Sequence, residues 1–168
     1  VMTKDRWRPA YIGIGSNLDQ PIEQVKQAAE HIKMIPESKF IKISPLYESS
    51  PLGPTSQPNF INAVAAIMTC LSAHNLLNEL KEIEVKQKRA RNVEKWGPRT
   101  IDLDLLVFSS QTINDKTLTV PHPEIKYRDF VLKPMSDITL DLKIPELDNV
   151  EDLLKKIENN SIMIKRLD

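Results

Sequence analysis

Apolar and polar positions divide the chain into a succession of short elements. Ala10 to Gly15 is a nearly continuous apolar run closed by Gly15-Ser16-Asn17, the pattern of a short buried strand ending in a turn. Pro21 suits the first turn of a helix, where its missing N–H costs nothing. Ile22, Val25, Ala29, Ile32 and Ile35 then recur at helical spacing, which predicts one face packed on a sheet. Phe40 to Tyr47 reads as a second strand, and Pro45 near its end marks it as an edge strand, because proline cannot complete a central ladder. Residues 49–59, rich in Ser, Pro and Gly, read as a loop, and Phe60 to Thr69 as a third strand. Ser72 is a fair N-cap for a helix whose apolar stripe is Leu76, Leu77, Leu80 and Ile83. A second loop covers about Arg89 to Arg99, and Thr100 to Phe108 is the clearest strand in the chain.

The order strand-helix-strand-strand-helix-strand predicts an α+β fold of ferredoxin-like βαββαβ type, with helices stacked on an antiparallel sheet. A hairpin around Gln111 to Val120 follows, then short helices and irregular elements, with a last helix over Val150 to Ile157. At 168 residues the chain has the length of one domain, and residues 1–9 read as a loose N-terminal extension.

Composition narrows the function classes. Hydrophobic residues make up 40% and charged residues 27%, ordinary for a globular protein. Lys+Arg and Asp+Glu both number 23, and a balance of that kind argues against nucleic acid or an anionic membrane as the main partner. No apolar run reaches the roughly 18 residues needed to span a bilayer, so a cytoplasmic enzyme is the expectation. Cys70 is the only cysteine, and its apolar setting reads as a small core residue rather than a nucleophile.

The chemistry concentrates in Trp96 to Phe108. Side chains alternate along a strand, so Ile101, Leu103, Leu105 and Val107 are expected in the core beneath the helices. Thr100, Asp102, Asp104, Leu106 and Phe108 then take the other face. Two carboxylates about 7 Å apart on one face repel unless a cation joins them. Their hard oxygens suit Mg²⁺, which takes one or two protein carboxylates together with substrate phosphates. The alternative is a pair of solvated acids. The preceding loop favours the metal: Arg89, Arg91, Lys95 and Arg99 fall within eleven residues, and arginine forks match phosphate oxygens. Trp96 is a loop aromatic on which a flat heteroaromatic ring could stack. Glu84 lies on the inner side of its helix, which leaves two readings, a carboxylate facing a partner and an ordinary boundary charge. Prolines on both sides hold His122 in a fixed loop, where it can donate to a phosphate. No zinc spacing, dinucleotide fingerprint or Walker-type phosphate loop is present.

Taken together, several segments resemble the 6-hydroxymethyl-7,8-dihydropterin pyrophosphokinase family. They are Tyr11 to Leu18, Pro51-Leu52-Gly53-Pro54 with Gln57-Pro58, Phe60 to Ala63, Arg89-Ala90-Arg91, Trp96 to Leu105, Val120 to Pro123, and Arg128 to Leu132. The run Trp-Gly-Pro-Arg-Thr-x-Asp-Leu-Asp is highly specific, and the likeness extends from about residue 10 to about residue 148.

The resemblance implies transfer of pyrophosphate from ATP to the pterin hydroxymethyl group, releasing AMP, in folate synthesis. It implies two Mg²⁺ on Asp102 and Asp104, with Arg89, Arg91 and Arg99 as catalytic cations. Arg89, Arg91, Trp96, Arg99, Leu105, Thr119, His122 and Arg128 would surround the nucleotide, and Glu84 its adenosine part. The pterin would meet Ser49, Ser50, Leu52, Phe60, Asn62, Trp96, Asp102 and Phe130. The chain departs from the family pattern in Ser49-Ser50 for Thr-Pro, Phe60 for tyrosine, and Pro123 for an aromatic. The polar run Glu158-Asn159-Asn160 is compatible with a link to a second folate enzyme. The rival readings are a sensor that binds nucleotide or pterin without turnover, and a Mg²⁺-dependent phosphodiesterase.

Overall fold

The structure, a computed structural model, describes residues 6–18, 20–51, 56–88, 101–157 and 164–167. Its main sheet is antiparallel. β1 (Arg8–Ser16) pairs on one side with β4 (Phe60–Thr69) and on the other with β5 (Asp102–Phe108). β2 (Ser38–Ile43) and β3 (Leu46–Ser49) both pair with β4, and β8 (Ile164–Leu167) adds to β3, giving the order β5-β1-β4-β3-β8 with β2 beside β4.

α1 (Pro21–Lys33) and α2 (Ala73–Lys88) cover one face. Val25, Ala28, Ala29 and Ile32 of α1, with Leu76, Leu80 and Ile83 of α2, bury against Ile12, Ile14, Ala63, Ala65, Leu103 and Leu105. Pro21 opens α1, and the Ser72 hydroxyl accepts the Asn75 N–H at 3.1 Å, as the N-cap reading requires. Ile22, expected on the buried face, is 39% exposed. α3 (Asp129–Ile138) and α4 (Val150–Ile157) pack together on the opposite face, where Val64, Leu106, Val107, Leu132 and Met135 form a second apolar cluster. The hairpin is β6 (Ile113–Asn114) with β7 (Thr119–Val120).

Several expectations are corrected. The strand expected over residues 40–47 is two strands broken at Ser44-Pro45. Ser44 bridges the break: its N–H donates to Val64 O and its hydroxyl accepts the Val64 N–H, both at 2.9 Å. Proline is therefore tolerated without leaving β3 at the edge, since β8 covers it. Arg8 and Pro9, assigned to a loose extension, belong to β1, where they pair with Thr69 and Met68. Cys70 is half-buried in the turn after β4 rather than in the core.

The most instructive correction concerns β5. Tyr11 opposes Val107 but Ile12 opposes Leu105, so Leu106 is an extra residue and the strand bulges there. A bulge reverses the alternation beyond it. Val107 consequently joins the cluster under α3, and Phe108, fully buried, joins the core under α1 and α2. The expected assignment holds for Ile101 through Leu106 and inverts for those two residues.

α3 falls in the region expected to hold short helices and irregular elements. Pro134 inside it reads as a breaker, yet Val131, Leu132 and Met135 bury one face on the sheet, and tertiary packing of that face outweighs one forfeited backbone bond. Tyr47, buried on the same sheet face, donates its hydroxyl to Asp137 of α3. Burial, and then that bond, push the phenol up to about 12. Among the described residues no helix is long and apolar enough to cross a membrane.

Candidate active site

The sheet face under α3 and α4 is covered only in part. Beyond the covered region, Gly13 and Gly15 of β1 carry no side chain, and their cross-strand partners are Asp104, Val64, Asp102 and Asn62. Leu106 packs over Gly13, 3.4 Å from where a Cβ would lie, and the bare strand at Gly15 borders a cavity of about 690 Å³, within the range of small-molecule sites. A Cβ on Gly15 would lie 3.5 Å from Asn62 Oδ1, so a larger residue there would crowd the cavity floor.

Asp102 and Asp104 enter this cavity from β5, on the expected face and at its open end, with side chains 38% and 46% exposed. Arg128 faces them from the segment before α3. Its guanidinium is 4.0 Å from Asp104 and lies over the Phe130 ring at 5.6 Å. Phe60 and Phe130 supply aromatic surface. Across the cavity, buried Asn62 donates from Nδ2 to the Ser49 hydroxyl at 2.8 Å. This bond fixes the plane of the Asn62 amide and directs its carbonyl oxygen as an acceptor. Ser50, Pro51 and Gln57 complete the wall. Asn17, buried at the end of β1, ties in their loop by donating to Gln57 Oε1 at 3.0 Å and Pro58 O at 3.2 Å.

A second group of expected residues gathers along the outer edge of β5. The Glu84 carboxylate on α2 accepts the Leu103 N–H at 2.8 Å, which decides for a partner over an ordinary boundary charge. Burial raises its pKa, against the lowering effects of that bond and of Lys88. Lys88, one turn further along α2, has its ammonium 3.8 Å from Asp102. The His122 N–H donates to Leu106 O at 2.8 Å, which seats its loop against the same strand. Its Nδ1 accepts the Glu124 N–H at 3.1 Å, so the ring proton sits on Nε2. Burial, against the nearby Asp104 charge, lowers the imidazole pKa and keeps the ring neutral.

Of the residues expected at the pterin, Ser49, Ser50, Phe60, Asn62, Asp102 and Phe130 all line the one cavity. Of those expected at the nucleotide, Arg128 lines it too, while Glu84 and His122 flank β5. Thr119 lies on β7, bonded through its hydroxyl to Asn114 at 3.3 Å, and Leu105 buries its side chain in the core under the helices. Leu52, Arg89, Arg91, Trp96 and Arg99 lie outside the described residues. Sequence reasoning had given no site role to Gly13, Gly15, Gln57 or Lys88. The alternation of glycine in Gly13-Ile14-Gly15, which clears one face of a strand, was the available signal for the first two.

The two aspartates fit a Mg²⁺ site of the kind that shares its coordination with substrate phosphates. They are half-exposed, acid-only, and open to a cavity large enough for a ligand. Among the described residues no group of three or more metal-binding side chains occurs.

Comparison with known proteins supplies the family. Residues 11–140 match the family model for 7,8-dihydro-6-hydroxymethylpterin-pyrophosphokinase. The chain is 44% identical over 144 residues to the 2-amino-4-hydroxy-6-hydroxymethyldihydropteridine pyrophosphokinase of Pseudomonas aeruginosa, covering 86% of this chain and 88% of that one. It is 40% identical to the enzyme of the same name from Haemophilus influenzae, covering 92% of this chain and 96% of that one. Similarity to the folic acid synthesis protein fol1 of Pneumocystis carinii is 43% over 80% of this chain, but only 18% of that longer protein. The crystal structure of Plasmodium falciparum HPPK-DHPS with pteroate superposes with a TM-score of 0.76 at 16% identity, over 96% of this chain and 46% of that one. With the matched model spanning most of its length, the chain belongs to the 7,8-dihydro-6-hydroxymethylpterin-pyrophosphokinase family.

Proposed function

We propose that this protein transfers pyrophosphate from ATP to the hydroxymethyl group of 6-hydroxymethyl-7,8-dihydropterin, with Mg²⁺ held by Asp102 and Asp104. The observation that carries this reading is the single cavity shared by the two aspartates, Arg128, Asn62 and the two phenylalanines. A flat pterin fits an aromatic wall with the Asn62 amide reading its polar edge, which directs its hydroxymethyl arm toward the carboxylates. The hydroxyl oxygen loses its proton to solvent as it attacks the β-phosphorus of ATP, the bond from that phosphorus to the α,β-bridging oxygen breaks, and AMP leaves with that oxygen as the pterin diphosphate forms. When bound, two Mg²⁺ would neutralise charge on the transferring phosphates. Arg128 and the neutral His122, with its proton on Nε2, are donors on the nucleotide side.

Arg89, Arg91 and Arg99 complete the proposed catalytic set, and Trp96 and Leu52 the pterin pocket. The strand order β5-β1-β4-β3, with β2 beside β4, supports the ferredoxin-like reading of residues 8–108. The enzyme is proposed to act in the cytoplasm. The fusions among its relatives support association with another folate enzyme.

The test is AMP release from ATP with and without the pterin alcohol. AMP formed only with the pterin, together with the pterin diphosphate, is expected. ATP hydrolysis independent of pterin would identify a phosphodiesterase-like activity, and binding without turnover would identify a sensor.

A further inference from the structure

Lys88 closes α2 one helical turn beyond Glu84, with its ammonium 3.8 Å from the nearer Asp102 oxygen. The Glu84 carboxylate accepts the backbone N–H of Leu103, the residue between the two aspartates. Among the described residues, Lys88 and Arg128 are the cations that form ion pairs with the aspartates, at 3.8 and 4.0 Å. Both separations exceed the roughly 2.7–2.9 Å of a charge-assisted hydrogen bond. Each cation thus neutralises a carboxylate without a close hydrogen bond to it, and can be exchanged at low cost.

Lysine suits such an exchange. Its charge is compact, its four-carbon stem is flexible, and its three donors rotate, whereas an arginine fork binds in fixed planes. An ammonium and a divalent cation also compete for the same carboxylate. We propose that Lys88 is a placeholder counter-ion, which holds Asp102 while the carboxylates carry no metal and passes to the polyphosphate when Mg²⁺ and nucleotide enter. Lys88 is thereby a positioning residue before loading and a phosphate-binding residue after it. The inference rests on the reading of Asp102 and Asp104 as metal ligands.

The proposal predicts opposite signs in two titrations, which a structural role would not produce. Loss of the charge should favour metal in the nucleotide-free protein and disfavour the nucleotide in the metal-loaded one. Mn²⁺ is titrated into nucleotide-free protein and followed by electron paramagnetic resonance. The nonhydrolysable α,β-methylene analogue of ATP is titrated calorimetrically in saturating Mg²⁺. For Lys88→Met, Mn²⁺ should bind about threefold tighter and the analogue about threefold weaker, the scale of a partly exposed ion pair. Lys88→Arg should restore both affinities toward wild type, and Lys88→Gln replaces the methionine variant if that one melts low. Unchanged or weaker Mn²⁺ binding, or an unchanged analogue affinity, overturns the proposal. Undiminished Mn²⁺ binding by a double Asp102→Asn, Asp104→Asn variant would instead remove the metal assignment beneath it.

Discussion

Glu84 and Leu103 are joined by a 2.8 Å hydrogen bond from the strand N–H to the helix carboxylate, at the residue between the two aspartates. Among the described residues β5 is the outermost strand on its side of the sheet, so an outward N–H there has no ladder partner. An unpaired backbone donor in a partly buried position is costly, and Glu84 removes that cost. The same bond ties α2 to the strand segment that presents Asp102 and Asp104.

The burial of Glu84 gives a pH signature in the metal-free protein. Burial raises the Glu84 pKa above its ordinary value. In the window between the ordinary and the raised value the folded state binds more protons than the unfolded one, so stability falls as pH rises. The contribution is fully present below the ordinary value and lost as pH passes the raised one. Melting temperatures of wild type and Glu84→Gln, compared in a chelator from about pH 4 to 7, should therefore diverge. Wild type should lose ground to the variant as pH increases. A constant difference across that range would show that Glu84 titrates normally.

Neighbouring residues on β5 should fail in different ways. Asp102→Ala and Asp104→Ala should nearly abolish transfer and leave the melting temperature close to wild type, since both side chains are partly exposed. Leu103→Ala, in the core at 5% exposure, should cost about 2–5 kcal/mol of stability in urea denaturation. Near-normal turnover by both alanine variants in saturating Mg²⁺ would displace the metal assignment.

The bulge at Leu106 makes a prediction that simple alternation contradicts. Phe108→Ala should cost about 3–5 kcal/mol through the core under α1 and α2. Its effect should add to that of Leu132→Ala, on the opposite face, within roughly 0.5 kcal/mol. Strong coupling between the two in a double-mutant cycle would place Phe108 under α3 instead.

Asn62 and Ser49 should act on the pterin alone. Asn62→Ala removes both the internal bond and the acceptor facing the cavity, and should weaken pterin binding at least about tenfold, the loss of one to two hydrogen bonds. Ser49→Ala should have a smaller effect in the same direction. Calorimetry with the pterin measures both, while affinity for the ATP analogue should stay unchanged. An equal loss for both ligands would mean that the Asn62–Ser49 pair supports the sheet rather than reading the substrate.

Much of this was legible because periodicity and chemistry agreed locally. The boundaries of β4 and α4 match their expected spans, and α2 starts at its cap. Ser49 of β3, Phe60 and Asn62 of β4 and Phe130 of α3, all expected at the pterin, line one cavity. Less legible were the parts set by distant partners. β8 has only four residues and is defined by pairing with β3, and α3 carries a proline that a local rule counts against it.

By itself, the sequence determined the succession β1, α1, β4, α2, β5 and α4 and the placement of Asp102 and Asp104 on one strand face, because these follow from residue type and from spacings of two and 3.6; its specific motifs carried the family resemblance. Only the tertiary structure decided where alternation breaks, which cations sit beside the aspartates, and what Glu84 holds. Bulge, ion pair and edge bond each depend on a second segment brought alongside β5. A period along one strand carries no record of that neighbour.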